Sequence, residues 1–268
     1  MHQALNTADI DTLAARLDGA AREARAVAQL SADTALDLAA AYAVQAASIG
    51  RRLARGERQV GVKMGFTSRA KMQQMGVSDL IWGRLTDAMH LDAGAELPFA
   101  RFIHPRAEPE IAFRLARPLA GNVSLAQAMA AVDAVAPAIE IIDSRYANFR
   151  FSLTDVVADN SSSSAFVTGT WVDPSLLGGE EIVMELLIDG VVVEHATSAA
   201  IMGNPWQSLV EAARLASVTG PGLAAGWIVF AGAATAAYAL TPGMRVSTRA
   251  GVLGETGFRV SASAGAGA

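Results

Sequence analysis

Between Asp9 and Arg55 apolar residues return at three- and four-residue spacings, first Leu13, Leu17 and Ala21, then Leu38, Ala41 and Tyr42, among many alanines. That period predicts two helices. Ser31, in LSADTALDL, offers an N-cap for the second, and Gly56 stops it. The period then changes from helical to alternating: Val60 and Val62 open a strand that ends near Gly65. SRAKMQQMGV from Ser68 reads as a short helix, and LIWGRLTDAMHLDAGAEL as a loop with short extended pieces. Beyond His104 strand patterns dominate, at 111–115, 138–142, 165–172, 182–188, 191–194, 227–231 and 244–248. SLAQAMAAVDAVAP and NPWQSLVEAARLASV are helical in pattern, and Asp189-Gly190 between two apolar runs predicts a hairpin turn. The pattern describes an α+β protein: a small helical N-terminal part, 1–58, ahead of a β-rich domain, 59–268, with the tail SASAGAGA expected to fray.

Composition narrows the function classes. A chain of 268 residues with 52% hydrophobic and 18% charged residues can bury a sizeable core and is far from a disordered composition. The net charge of −5 and the lack of any basic block argue against nucleic acid as a partner. No apolar run is long enough for a membrane span, and the N-terminus does not resemble a signal peptide, so a cytoplasmic protein is expected. Zero cysteines exclude disulfides, thiolate metal sites and cysteine nucleophiles, which leaves carboxylate, histidine and lysine chemistry. Neither a histidine zinc motif, a GxSxG elbow nor a phosphate loop is present.

HPRAEPEIAFRL is where chemistry first shows. Glu108 and Glu110 lie two apart, so on a strand both carboxylates face one space, ~7 Å apart along the chain. Such a pair is most simply a solvated face, but Pro109 between them marks an edge or bulge, where side chains are often re-aimed. Glu140, inside AVAPAIEII, is flanked by apolar residues on both sides and needs a partner if buried. That partner is either a basic side chain or a hard divalent cation shared with the other two glutamates. Lys63, in VGVKMGFTS, sits between Gly61 and Gly65 on its own face, which leaves room for a ligand to approach, although an ordinary exposed lysine has the same local sequence. DVVADNSSSSAFVTG packs Asp155, Asp159, Asn160 and four serines before a strand, a composition that turn chemistry alone would explain.

Taken together, GVKMGFTSRAKMQQMGV, HPRAEPEIAF, EIIDSRY and DVVADNSSS resemble the fumarylacetoacetate hydrolase superfamily, in its branch of 2-keto-4-pentenoate hydratases and 4-oxalocrotonate decarboxylases. The resemblance runs from about Val60 to FAGAATAAYALTPG, ending at Gly243. It implies a mixed β-roll behind the helical N-terminal part, a Mg²⁺ or Mn²⁺ site on Glu108, Glu110 and Glu140, an active-site lysine at Lys63, and a substrate-lining segment with Asp159, Ser162 and Ser163. The implied substrate is a small 2-oxo acid that chelates the cation through its C1 carboxylate and C2 carbonyl. KMGFTSRAKMQQMGVSDLIWGRLTDAM is nearer the decarboxylases, whose diacid substrate, 2-oxohex-3-enedioate, carries a second carboxylate; Arg69, with Lys71 and Arg84 nearby, is the expected receiver. The resemblance thus implies decarboxylation in a meta-cleavage route for aromatic compounds, with hydration of 2-hydroxypenta-2,4-dienoate as the alternative. It also implies a homo-oligomer that can associate with a companion hydratase.

Overall fold

The computed structural model of the chain describes residues 5–67 and 80–262. Helix α1, Thr7–Arg22, starts at a capping box in which Asn6 accepts from the Asp9 N–H and the Asp9 side chain accepts from Asn6. Helix α2, Leu38–Ala54, starts at Asp37, whose carboxylate accepts from the Ala40 N–H at 2.8 Å. Ser31 is therefore not its cap. It lies in a 3-10 turn seven residues earlier, where its hydroxyl donates to Asp155 at 2.6 Å and its N–H to the same carboxylate at 2.9 Å. The local sequence suits a cap, but a long-range acceptor took the hydroxyl. Arg55, after α2, pairs with Asp18 on α1 at 2.6 Å, and Gly56, at φ +100°, turns the chain out of the helix.

Two sheets follow. The larger contains β1 (Gln59–Gly65), β2 (Ile81–Thr86), β4 (Arg106–Leu115), β5 (Val132–Ile142), β6 (Ser163–Thr168) and β9 (Ile228–Phe230), in the order β2-β1-β9-β4-β5-β6, with β10 (Tyr238–Ala239) on β4. The smaller contains β3 (Glu96–Leu97), β7 (Val183–Ile188), β8 (Val191–Thr197), β11 (Arg245–Ala250) and β12 (Glu255–Val260), in the order β3-β12-β11-β7-β8. The β7–β8 hairpin turns at Asp189-Gly190, both left-handed, as the sequence pattern predicts. Helices α3 (Leu125–Ala131), α4 (Leu153–Ala158) and α5 (Pro205–Val218), with several short 3-10 turns, complete the described elements. No helix among the described residues is long and apolar enough to cross a membrane.

The sheets pack face to face through Ala107, Ile139, Ile141 and Val167 on one side and Leu186, Ile188, Val246 and Phe258 on the other. The two leading helices bury Ala14, Leu17, Ala41, Tyr42 and Val44 in the same cluster as Val62, Met64, Trp82 and Phe113, so they share the core of the large sheet. Strand β5 begins six residues earlier than the alternation indicates. The helical pattern of SLAQAMAAVDAVAP continues into it, yet Val132 to Pro137 pair with β4, because burial between two neighbours outweighs local propensity. Strands β2 and β12, read as loop or passed over, exist for the same reason: each pairs along its length with an adjoining strand. The helix read at 68–77 lies outside the described residues.

Candidate active site

Strands β4 and β5 run antiparallel with Glu108 directly opposite Glu140 and Glu110 opposite Ala138. The two-residue spacing on β4 therefore places all three glutamates on one face, and one carboxylate oxygen from each lies within 4.8 Å of the others. They are 7%, 0% and 0% exposed, so this is not a solvated face. Nor is β4 an edge strand, as Pro109 led us to expect. Strand β9 pairs with it only at Ala112 to Arg114, and β10 takes over at Ala107. Pro109 occupies the gap between them, where its missing N–H breaks no ladder bond and its carbonyl accepts from Ala234 at 3.1 Å.

Lys63 arrives from β1. It is in register with Phe230 on β9, which is in register with Ala112 on β4, so its side chain reaches the same face two strands away. Its Nζ lies 2.8 Å from Glu140 Oε2, and both side chains are buried. Gly232, just past β9, donates its N–H to Glu110 Oε2 at 2.7 Å, while Glu110 Oε1 and Glu140 Oε1 are buried without a hydrogen-bond partner. Burial, and after it the Glu140 charge, hold the Glu110 carboxyl well above its ordinary pKa; burial also raises Glu140, against the opposing pull of Lys63. Burial works against the Lys63 ammonium, yet the charges of Glu140, Glu108 and Glu110 outweigh it and raise its pKa. Were all three carboxylates ionised beside the one ammonium, two negative charges would be left in a buried site. A hard divalent cation would supply the missing charge and take the oxygens that have no donor.

Gly232 fits this site in two ways. Its φ of +101° suits glycine, and a Cβ there would lie 2.3 Å from the Thr67 hydroxyl oxygen. Gly232→Ala should therefore displace the N–H from Glu110 or the Thr67 side chain from the wall. We expect Mg²⁺ affinity to fall about tenfold or more, with a stability loss on the order of 1–3 kcal/mol. Mg²⁺ titration by calorimetry checks the first and urea unfolding the second.

A cavity of about 320 Å³ opens over Glu108 and Lys63. Its wall includes Phe66, Ile81, Ile142, Phe149 and Phe151 as apolar surface and Thr67, Ser161 and Ser162 as polar groups. Glu110 and Glu140 lie beneath, so ligand meets the trio from the Glu108 side. The serine segment has an unusual backbone: Asn160, Ser161 and Ser162 have φ of 51°, 51° and 59°, three successive left-handed residues without a glycine. Each such residue costs on the order of 1–3 kcal/mol and persists only when its surroundings enforce it. Here the Asn160 amide clamps the backbone of Arg84, accepting from its N–H at 2.7 Å and donating to its carbonyl at 2.8 Å, while the Ser161 hydroxyl donates to the Trp82 carbonyl at 2.9 Å. The outcome is a Ser162 hydroxyl that is buried, unpartnered and on the cavity wall.

A family profile described as fumarylacetoacetate (FAA) hydrolase C-terminal matches residues 86–261. The chain belongs to the fumarylacetoacetate hydrolase family. It is 53% identical over 249 residues to a 4-oxalocrotonate decarboxylase of Pseudomonas sp, an alignment covering 93% of this chain and 97% of that one. A 2-keto-4-pentenoate hydratase of Paraburkholderia xenovorans (strain LB400) is 37% identical over 205 residues, 76% of each chain. Among solved structures, the 4-oxalocrotonate decarboxylase from Pseudomonas putida G7 complexed with magnesium and adipate matches with a TM-score of 0.93 at 35% identity, covering 97% of this chain and 100% of that one.

In this member of the family the expected site residues divide by position. Glu108, Glu110, Glu140, Lys63 and Ser162 converge on one place. Ser163 lies behind it, close enough to favour ionised Glu140 but without a well-aligned hydrogen bond. Asp159 is not on the cavity wall: its carboxylate receives the Arg145 N–H at 2.9 Å and the Arg145 guanidinium, with both side chains buried. Arg84 also lies elsewhere, stacked 4.5 Å over Trp82 and bonded to Gln45 on α2. Arg69 and Lys71 are outside the described residues. Arg106 is the wall residue that sequence reasoning passed over. The alternation that paired Glu108 with Glu110 extends one step back to it and was sufficient to find it.

Proposed function

We infer that this chain is a divalent-metal-dependent decarboxylase of 2-oxohex-3-enedioate, working with Mg²⁺ or Mn²⁺ in the breakdown of aromatic compounds by meta-cleavage. The observation that carries the metal reading is the buried trio Glu108, Glu110 and Glu140, two of whose oxygens have no donor. The likeness to decarboxylases over nearly the whole chain, stronger than the likeness to hydratases, supports the choice of reaction.

When bound, the cation supplies a Lewis acid for the C1 carboxylate and C2 carbonyl of a 2-oxo acid. The protein supplies the rest. The apolar wall of Phe66, Ile81, Ile142 and Phe151 receives the hydrocarbon middle of the substrate and excludes water from it. In the reaction the C5–C6 bond breaks and C6 leaves as CO₂. Its electron pair forms C4=C5, the former C3=C4 pair shifts to C2=C3, and the carbonyl pair settles on the C2 oxygen, which takes up one proton to give 2-hydroxypenta-2,4-dienoate. Lys63 Nζ, held protonated by the glutamates and on the cavity wall, is placed to steady that oxygen and to hold or deliver a proton. Ser162 offers an unpartnered hydroxyl to the bound acid. Asp159 acts from behind through Arg145, as a positioning residue for the serine turn, and Ser163 acts through Glu140. Arg69 stays in this reading as a further substrate-binding cation. The assembly expected of it, a cytoplasmic homo-oligomer able to pair with a companion hydratase, belongs to the same reading and is tested by light scattering.

Product analysis tests the function. Purified protein with Mg²⁺ should release CO₂ from 2-oxohex-3-enedioate, and EDTA should abolish the release. Consumption of 2-hydroxypenta-2,4-dienoate to 4-hydroxy-2-oxopentanoate, with no CO₂ from the diacid, would move the chain to the hydratases.

A further inference from the structure

We propose that Arg106 is the receptor for the distal C6 carboxylate of the substrate, and so the residue that makes this site select six-carbon 2-oxo diacids over monoacids. The inference rests on the decarboxylase reading above. Arg106, Glu108 and Glu110 follow one another at two-residue intervals along one face of β4, and their partners Ile142, Glu140 and Ala138 do the same on β5. The strand thus lays out a guanidinium and then the carboxylate trio in a line, with ~7 Å between Arg106 and Glu108. A six-carbon diacid held by its 2-oxo end at the glutamates extends over a comparable length. Arg106 and Lys63 are the cationic side chains among the described residues of the cavity wall, and Lys63 is engaged by Glu140.

The Arg106 guanidinium is half-buried, has no ion pair with a carboxylate among the described residues, and lies 4.5 Å over the Phe149 ring. Phe149 is itself held firmly: it packs on the rings of His104 at 5.1 Å and Phe151 at 5.7 Å, and its turn carries two successive left-handed residues, Asn148 at 59° and Phe149 at 55°. A flat ring beneath a guanidinium fixes its plane and leaves its edge N–H groups for a carboxylate. C6 leaves as neutral CO₂ while its negative charge passes along the chain to the C2 oxygen, so a cation at C6 favours binding and orientation of the diacid more than the transition state. Affinity should therefore respond to Arg106 more than kcat does.

The experiment uses two unreactive ligands, 2-oxohexanedioate and 2-oxohexanoate, which share the chelating end and differ in the distal carboxylate. Each is titrated calorimetrically into the Mg²⁺-loaded protein. Wild type should prefer the diacid; Arg106→Gln should weaken it about 10- to 100-fold and leave the monoacid and Mg²⁺ binding unchanged. Arg106→Lys, which keeps charge and stem and guards against a folding failure, should recover part of the loss. Equal weakening of both acids, no change in either, or loss of the preference in Arg69→Ala but not in Arg106→Gln would overturn the assignment. A wild type that binds both acids through Mg²⁺ without preferring the diacid would instead sink the diacid reading itself, and the assignment with it.

Discussion

Glu110→Gln should lower Mg²⁺-dependent turnover by about 10³-fold, equivalent to ~4 kcal/mol of transition-state stabilisation, while making the metal-free protein more stable. Glu110 is 0% exposed and has a single hydrogen bond, from Gly232, at one oxygen. With no cation bound, burial and the Glu140 charge hold its carboxyl well above the ordinary 4.5. A carboxyl whose folded pKa is raised adds stability that is full below its unfolded value and is lost as pH rises through the folded one. Wild type in EDTA should therefore lose thermal stability as pH climbs upward from about 4.5, and Glu110→Gln should flatten that decline. Mg²⁺ should reverse the order, since a ligand at 100 times its Kd adds ~2.7 kcal/mol to a protein that binds it and nothing to one that does not. Melting temperatures of both proteins, in EDTA and in Mg²⁺, across this pH range decide the matter. A wild type that gains nothing from Mg²⁺ would remove the metal site from the glutamate trio.

Asp159→Ala should destabilise the fold by about 3–5 kcal/mol, although it touches no wall of the cavity. Asp159 and Arg145 are 2% and 6% exposed, and the aspartate accepts both from the Arg145 backbone and from its guanidinium. Removing the acid leaves a buried guanidinium without its counter-charge and frees the base of the turn that carries Asn160 to Ser162. Burial raises Asp159 from 3.8 to about 6, against the opposing pull of Arg145. Its contribution is therefore greatest below pH 3.8 and declines as pH rises through about 6. Because the pair is costly to desolvate, replacing both residues by apolar ones should recover most of what the single change loses. Urea unfolding of Asp159→Ala and of Asp159→Leu/Arg145→Met measures this. If the double variant is no better than the single one, Asp159 acts through something other than Arg145.

Local sequence was most legible where one residue's neighbours decide its state. The leading helices, the Asp189-Gly190 hairpin and the strand into Gly65 come from periodicity and turn chemistry, which act within a few residues. The grouping of Glu108 with Glu110 was legible because the period of a strand is two, and an acid between isoleucines needs a counter-charge; that a metal would join the three came from the family resemblance. The same period extends to Arg106, one step before Glu108, although the sequence reading stopped short of it. Capping was less legible: Ser31 and Asp37 both suit a cap, and the choice was made by Asp155, more than a hundred residues away. Pro109 predicts an edge or a bulge, and the structure has neither there: the gap between β9 and β10 is what lets a central strand accommodate it.

What local pattern and chemistry could establish, then, is an α+β chain with two glutamates on one strand face, a third among apolar residues and a lysine between glycines; the family resemblance is what joined the four into one expected site. Tertiary structure decided which polar groups meet. Lys63 and Glu140 are far apart in the chain and become an ion pair of 2.8 Å because β9 and β4 intervene between their strands with matched register. Asp159 and Asn160 adjoin in sequence, yet one is bound by Arg145 and the other by the backbone of β2. Register and burial are properties of the packed sheet, and each buried charge takes the partner that packing brings within reach.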